Sequence, residues 1–288
     1  MGTIKLSDIG NSNGHYRFYT FEFFLKHQKR LGFKRVDLFG ATPHVWIDAY
    51  KRSSGQRIRQ MIQSYGLMPG VFIPEFSSMR YTLGSEAESR AKTHEYLKHC
   101  LEFAGELGTS QMAVTANGFL LDMEEKQRRF RLTEELGYIL DLAEPLGIRI
   151  LLLNHFCDDT NMVRTIEDMD WCMRVMEGRN IGPALDVASA YEAGESIKDW
   201  LARFKDSIGY VCLSNTKFDG AKHYWGDGYL NLNDIAAELI TGEYSGSVGC
   251  FCMLRDYLKT PWTADEQTAK MLAWAFEGTD CHGQEHGG

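Results

Sequence analysis

A histidine and an aspartate follow two markedly apolar runs of this 288-residue chain: Leu151-Leu152-Leu153 leads into Asn154 and His155, and Leu185 leads into Asp186. Imidazole and carboxylate groups can take a proton from a carbon beside a carbonyl and return it, a step that each accelerates by about 10²- to 10⁴-fold. The expected catalytic pair is therefore His155 and Asp186. Glu75, Asn154, Asn215, Lys217 and His223 also stand near the ends of apolar runs or in the segments that follow them, and are expected to bind and orient substrate oxygens. A carboxylate in a cavity mouth needs a cationic partner or becomes protonated, and Lys217 or Arg255 could supply that charge to Asp186. His155 has a second reading, as a hydrogen-bonded neighbour of Asn154 that shapes the mouth. Asn215 and Lys217 have one too, as an ordinary exposed loop.

The run Lys222-His223-Tyr224-Trp225-Gly226-Asp227-Gly228 mixes ring faces with hydrogen-bonding groups. That composition suits sugars, whose C–H faces stack on aromatic rings. Trp225 is the expected substrate-contacting ring, as part of a lid, with an oligomer interface as the alternative. Arg80 either reaches the same cavity or is a surface charge, while His94 and His99 sit within a helical pattern and are expected at the periphery. Seven cysteines, an odd number without regular spacing, point to reduced thiols and a cytoplasmic protein. Cys212, Cys250 and Cys252 do not complete a thiolate metal site: on a strand, Cys250 and Cys252 share one face and Phe251 takes the other.

The residues that could do chemistry must be positioned by a repeated scaffold, and the chain is patterned as one. Short apolar runs alternate with longer amphipathic stretches, the signature of βα units around a parallel sheet. Strands are expected near residues 4–6, 35–39, 70–75, 111–115, 149–153, 182–186, 209–213 and 247–253, which makes the eight of a single (β/α)8 barrel. Ser85 and Glu88 read as a capping box opening a helix that Gly108 stops, and a second helix runs from about Met123 to Pro145. Residues 1–278 are expected to form the barrel and 279–288 a polar tail.

A net charge of -8 argues against nucleic acid as a partner, because phosphate binding needs a concentrated cationic surface. The basic run at residues 126–131 lies among glutamates and reads as a solvated helix face. No long uncharged apolar run is present, so a membrane partner is not expected, and the first residues lack the apolar core of a signal peptide.

Taken together, Leu31-Gly32-Phe33-Lys34-Arg35-Val36-Asp37-Leu38, Ala104-Gly105-Glu106-Leu107-Gly108, Leu153-Asn154-His155, Leu185-Asp186-Val187, Gly226-Asp227-Gly228-Tyr229-Leu230 and Gly242-Glu243-Tyr244-Ser245-Gly246 carry a resemblance. In order and spacing they make the chain similar to the xylose-isomerase-like TIM barrel superfamily of sugar isomerases and epimerases, which also includes endonuclease IV. The resemblance spans nearly the whole chain. It implies a divalent ion, often manganese, held by Glu, Asp, His and Glu from four strand ends and acting as a Lewis acid. Carried across, the first Glu falls on Leu153 or Leu151, the Asp on Asp186, the His on Cys212 and the last Glu on Phe251, while a further family His or Asn falls near Ser189. Three of the four ligands are thus replaced, so neither a metal nor another cofactor is expected. The expected function is metal-independent acid-base chemistry on a sugar, polyol or glycoside derivative: isomerisation, epimerisation or elimination. The alternative is a noncatalytic subunit or carbohydrate-binding partner of an active paralogue, with a homo-oligomer or a hetero-oligomer as its assembly. A nuclease like endonuclease IV would need a cluster of metal-binding strand ends that is absent here.

Overall fold

The computed structural model describes residues 4–76 and 80–278. Eight parallel strands close in sequential order: β1 (Ile9–Ser12), β2 (Arg35–Gly40), β3 (Met68–Pro74), β4 (Gln111–Thr115), β5 (Arg149–Leu153), β6 (Ile181–Asp186), β7 (Tyr210–Leu213) and β8 (Ser247–Cys250). The helices between and after them are α1 (Phe21–Leu31), α2 (Gly55–Ser64), α3 (Ala87–Leu107), α4 (Glu125–Ala143), α5 (Ile166–Val175), α6 (Val187–Glu192), α7 (Ile197–Phe204), α8 (Leu232–Thr241) and α9 (Pro261–Glu277). The expected (β/α)8 architecture is what the chain adopts. Residues 279–288, expected as a tail, lie outside the described residues.

Alternation along the strands divides two cores. Met112, Val114, Ile150 and Leu152 face the helices, whereas Val71, Ala113, Leu151, Ala184, Tyr210 and Cys212 fill the barrel interior. Leu153 and Phe251 pack on that inner column, so Phe251 points inward, and Cys250 joins the outer core. A carboxylate is buried in the same interior: Asp37 accepts hydrogen bonds from the Tyr210 hydroxyl and the Val71 amide, both at 2.9 Å. Glycines make the room. A Cβ at Gly10, Gly70 or Gly249 would stand 2.3, 2.1 or 1.8 Å from an Asp37 side-chain atom. Burial raises the Asp37 pKa to about 6, against those two hydrogen bonds, which favour the charged form.

Two local expectations fail. Leu6–Asp8 is a 3₁₀ turn, and the first strand is the more polar Ile9–Ser12. Its Asn11 is buried because partners far along the chain satisfy it: the side-chain amide donates to Gln28 Oε1 at 2.8 Å and to Asp265 Oδ1 at 2.9 Å. Asp265 of α9 also accepts from His15 (2.8 Å), Tyr16 (2.8 Å) and Gln28 (2.7 Å), stitching the last helix to the first βα unit. The capping box also fails. Glu86 is the N-cap of α3 and makes no side-chain cap bond, while the Ser85 hydroxyl donates to the Thr82 carbonyl at 2.6 Å and pairs with Thr93 Oγ1 at 2.8 Å.

Candidate active site

A cavity of about 530 Å³ opens at the carboxyl ends of the strands, where enzymes of this architecture carry their chemistry. His155, Asp186, Asn154 and Cys212 all line it, so the two residues expected to do acid-base chemistry share one mouth. Depressions of about 650 and 680 Å³ lie elsewhere, one between the opposite strand ends beside Arg35 and Tyr244, the other beside α1 and α2. Neither contains the strand-end pair.

β6 ends on Asp186, which also caps α6 by accepting from the Ser189 amide at 2.9 Å. The same Oδ1 accepts from the Ser214 hydroxyl at 3.0 Å and from the Lys222 ammonium at 2.6 Å, and Lys222 further donates to Ser189 Oγ at 2.7 Å. Burial would push this carboxyl up; the Lys222 charge and the hydrogen bonds from Lys222 and Ser189 outweigh that and hold it below the ordinary aspartate range. Asp186 is therefore a stable carboxylate and a weak proton acceptor. Asn154 fixes the strand end on which it stands, accepting from the Asp186 amide at 2.6 Å and donating to the Asp186 carbonyl at 3.3 Å.

The His155 amide donates to the Val163 carbonyl at 3.0 Å, leaving the ring to line the cavity. Burial, and then the Lys222 charge, lower its pKa; Asp186, Asp158 and Glu192 oppose the shift without reversing it. The imidazole is neutral at physiological pH, the form that can accept a proton. A neutral base and a fixed ammonium thus face one cavity.

The other expected residues form a frame around Lys222. Asn215 and His223 pair through their backbones at 3.1 and 2.9 Å, and Asn215 Oδ1 accepts from the amides of Thr216 and Leu230 at 2.8 and 3.0 Å. Lys217 binds Asp227 at 2.6 Å, so it is not the partner of Asp186, and Arg255 is exposed. His223 is buried between Asp219 (3.0 Å) and Tyr257 (3.0 Å). Trp225 is 1% exposed and donates to the Leu213 carbonyl at 3.3 Å; it packs in the core, offering a ring neither to the cavity nor to an outer surface. Glu75 lies 3.6 Å from Arg17 outside the cavity lining, and Arg80 stands over the Tyr81 ring. His94 pairs with Glu135 at 2.8 Å on the helical layer, and His99 with the Asp48 carbonyl at 2.7 Å.

Lys222 is the residue that sequence reasoning missed. The need of Asp186 for a cation was legible, but which lysine meets it depends on how the loop after β7 folds back through the Asn215–His223 pairing.

The donor atoms at the strand ends do not fit a hard divalent cation. Leu153 and Phe251 supply none, burial raises the Cys212 pKa and keeps the thiol protonated, and Asp186 is already matched to Lys222. Among the described residues, no group of three or more His, Cys, Asp or Glu side chains is arranged to hold a metal. No helix among them is long and apolar enough to cross a membrane.

Residues 25–275 match a protein family described as a xylose isomerase-like TIM barrel. The chain is 21% identical over 238 residues to fructoselysine 3-epimerase of Escherichia coli O157:H7, covering 81% of this chain and 85% of that protein. The apo structure of the 3-keto-D-glucoside 4-epimerase YcjR from E. coli superposes with a TM-score of 0.74 at 16% identity, over 93% of this chain and 98% of that one. D-psicose 3-epimerase, solved in the presence of D-fructose, gives 0.75 at 14% identity, over 94% and 100%. At these identities the structural likeness is one of fold.

Proposed function

The chain belongs to the xylose isomerase-like TIM barrel family, and from that premise we propose that it acts on a carbonyl-bearing sugar or glycoside derivative by proton transfer without a divalent ion. The observation that carries this reading is the pairing of the Lys222 ammonium with Asp186 at 2.6 Å in the cavity that the neutral His155 also lines. Lys222 donates to the substrate carbonyl oxygen, where negative charge develops. His155 takes the proton from the adjacent carbon, and the C–H electron pair moves toward that oxygen to give an enolate-like species. Water protonating the other face, while the imidazolium gives its proton to solvent, yields an epimer; loss of a substituent one carbon further, protonated by the imidazolium as it leaves, yields elimination. Asp186 and Ser189 keep the lysine aimed.

The names of the relatives support a sugar derivative as substrate, since fructoselysine 3-epimerase and 3-keto-D-glucoside 4-epimerase both invert a centre in one. The test is deuterium exchange into methyl 3-keto-β-D-glucopyranoside in D₂O, followed by NMR. Exchange should persist in EDTA and fall by at least about 10²-fold in His155→Ala and in Lys222→Met. Exchange abolished by EDTA and restored by manganese would overturn the metal-free route.

A further inference from the structure

The cavity is divided by chemistry as well as by strand. Asn154, His155, Asp186 and Lys222 come from β5, β6 and the loop after β7, whereas Phe39, Ile73, Pro74, Phe76, Phe251 and Met253 come from β2, β3 and β8 and the segments following them. Phe39 and Phe251 meet edge to face on that side with centroids 5.6 Å apart. One polar atom sits beside it. Asn117 donates through Nδ2 to the Phe76 carbonyl at 2.8 Å, and because a carbonyl only accepts, this fixes the amide orientation. Its Oδ1 is then left buried without a partner, on a side chain that lines the cavity and is 8% exposed. A buried acceptor in that state is open to a hydroxyl donor, from water or from a ligand.

A bare polyhydroxylated sugar fits such a cavity poorly, since each hydroxyl turned to the phenylalanine wall loses water and gains no partner. The volume of about 530 Å³ also exceeds what one pyranose ring fills. We infer that the substrate is amphipathic: a sugar head bearing its carbonyl at Lys222 and His155 and a hydroxyl at Asn117, joined to a flat apolar substituent that lies on Phe39, Ile73, Phe76 and Phe251. This inference rests on the sugar-derivative reading above and adds the class of substituent.

Calorimetry with three probes separates the two. 2-Naphthyl β-D-glucopyranoside should bind about 30- to 100-fold tighter than methyl β-D-glucopyranoside, with a more negative heat-capacity change, and tighter than 2-naphthol alone. Phe251→Asn, at a half-buried position, should reduce that ratio to below about threefold while leaving the methyl glucoside affinity in place. Equal affinity for the two glucosides overturns the amphipathic substrate and leaves the sugar reading standing. Naphthol binding as tightly as its glucoside, or no binding by any probe, overturns both. The wild-type comparison decides the matter even where the variant does not fold.

Discussion

Lys222 and Asp186 form an ion pair at 2.6 Å with 13% and 4% of their side chains exposed, the most buried lysine–carboxylate pair among the described residues. Removing one partner strands the other charge in low dielectric. Lys222→Met and Asp186→Asn should each destabilise the barrel, by about 3–5 kcal/mol, and the double substitution should cost less than their sum by at least about 1.5 kcal/mol. A urea-denaturation double-mutant cycle measures this. Additive single effects would show that the pair contributes no coupling.

His155 sets the acid side of the pH profile. Because burial and Lys222 depress its folded pKa below 6.5, the base form persists through neutral pH. The rate of solvent exchange should therefore be flat from pH 8 down past 6.5 and fall with unit slope below the depressed value. Stability follows the same sign: below 6.5 the unfolded chain binds the proton and the folded one does not, so stability from this group falls with falling pH until the folded pKa is passed. An acidic limb centred above pH 6.5 would remove His155 as the base.

Asp37 works in the opposite sense. With a folded pKa of about 6 against an ordinary value of 3.8, the folded state binds more protons between those limits, and stability falls as pH rises through them. The group costs the native state about 2.5 kcal/mol at pH 8 relative to pH 4. Asp37→Asn keeps one acceptor for the Val71 amide and should flatten the dependence of folding stability on pH over that window. Denaturant melts at pH 4, 6 and 8 would expose an unchanged slope.

Asp265 collects donors from Asn11, His15, Tyr16 and Gln28. Asp265→Ala leaves His15, Tyr16 and Gln28 buried without this acceptor, takes from Asn11 one of its two, and should lower stability by at least about 4 kcal/mol, one of the largest single effects in the protein. A loss under about 1 kcal/mol by chemical denaturation would mean that water replaces the carboxylate.

Strands β4 and β5 are legible to the residue, because a parallel strand covered on both faces reads as an unbroken apolar run. β1 is not: Gly10, Asn11 and Ser12 look like a loop until Gln28 and Asp265, the latter 254 residues from Asn11, enter as partners. The site divides in the same way. His155 and Asp186 show at strand ends by local pattern, whereas Lys222 reaches them by a loop path that Asn215, His223 and Trp225 set through hydrogen bonds to distant backbone and side chains. Residues that look chemical by type, such as His223, are consumed in that framing.

The Asp265 junction bears on how the chain acquires its shape. During synthesis the first βα unit leaves the ribosome with an asparagine, a histidine, a tyrosine and a glutamine whose shared acceptor has not yet been made. That unit cannot settle as an independent folding block. Closure of the ring waits for α9, so the first and last segments should become protected from hydrogen exchange together, late and cooperatively, while the middle of the barrel is free to order earlier.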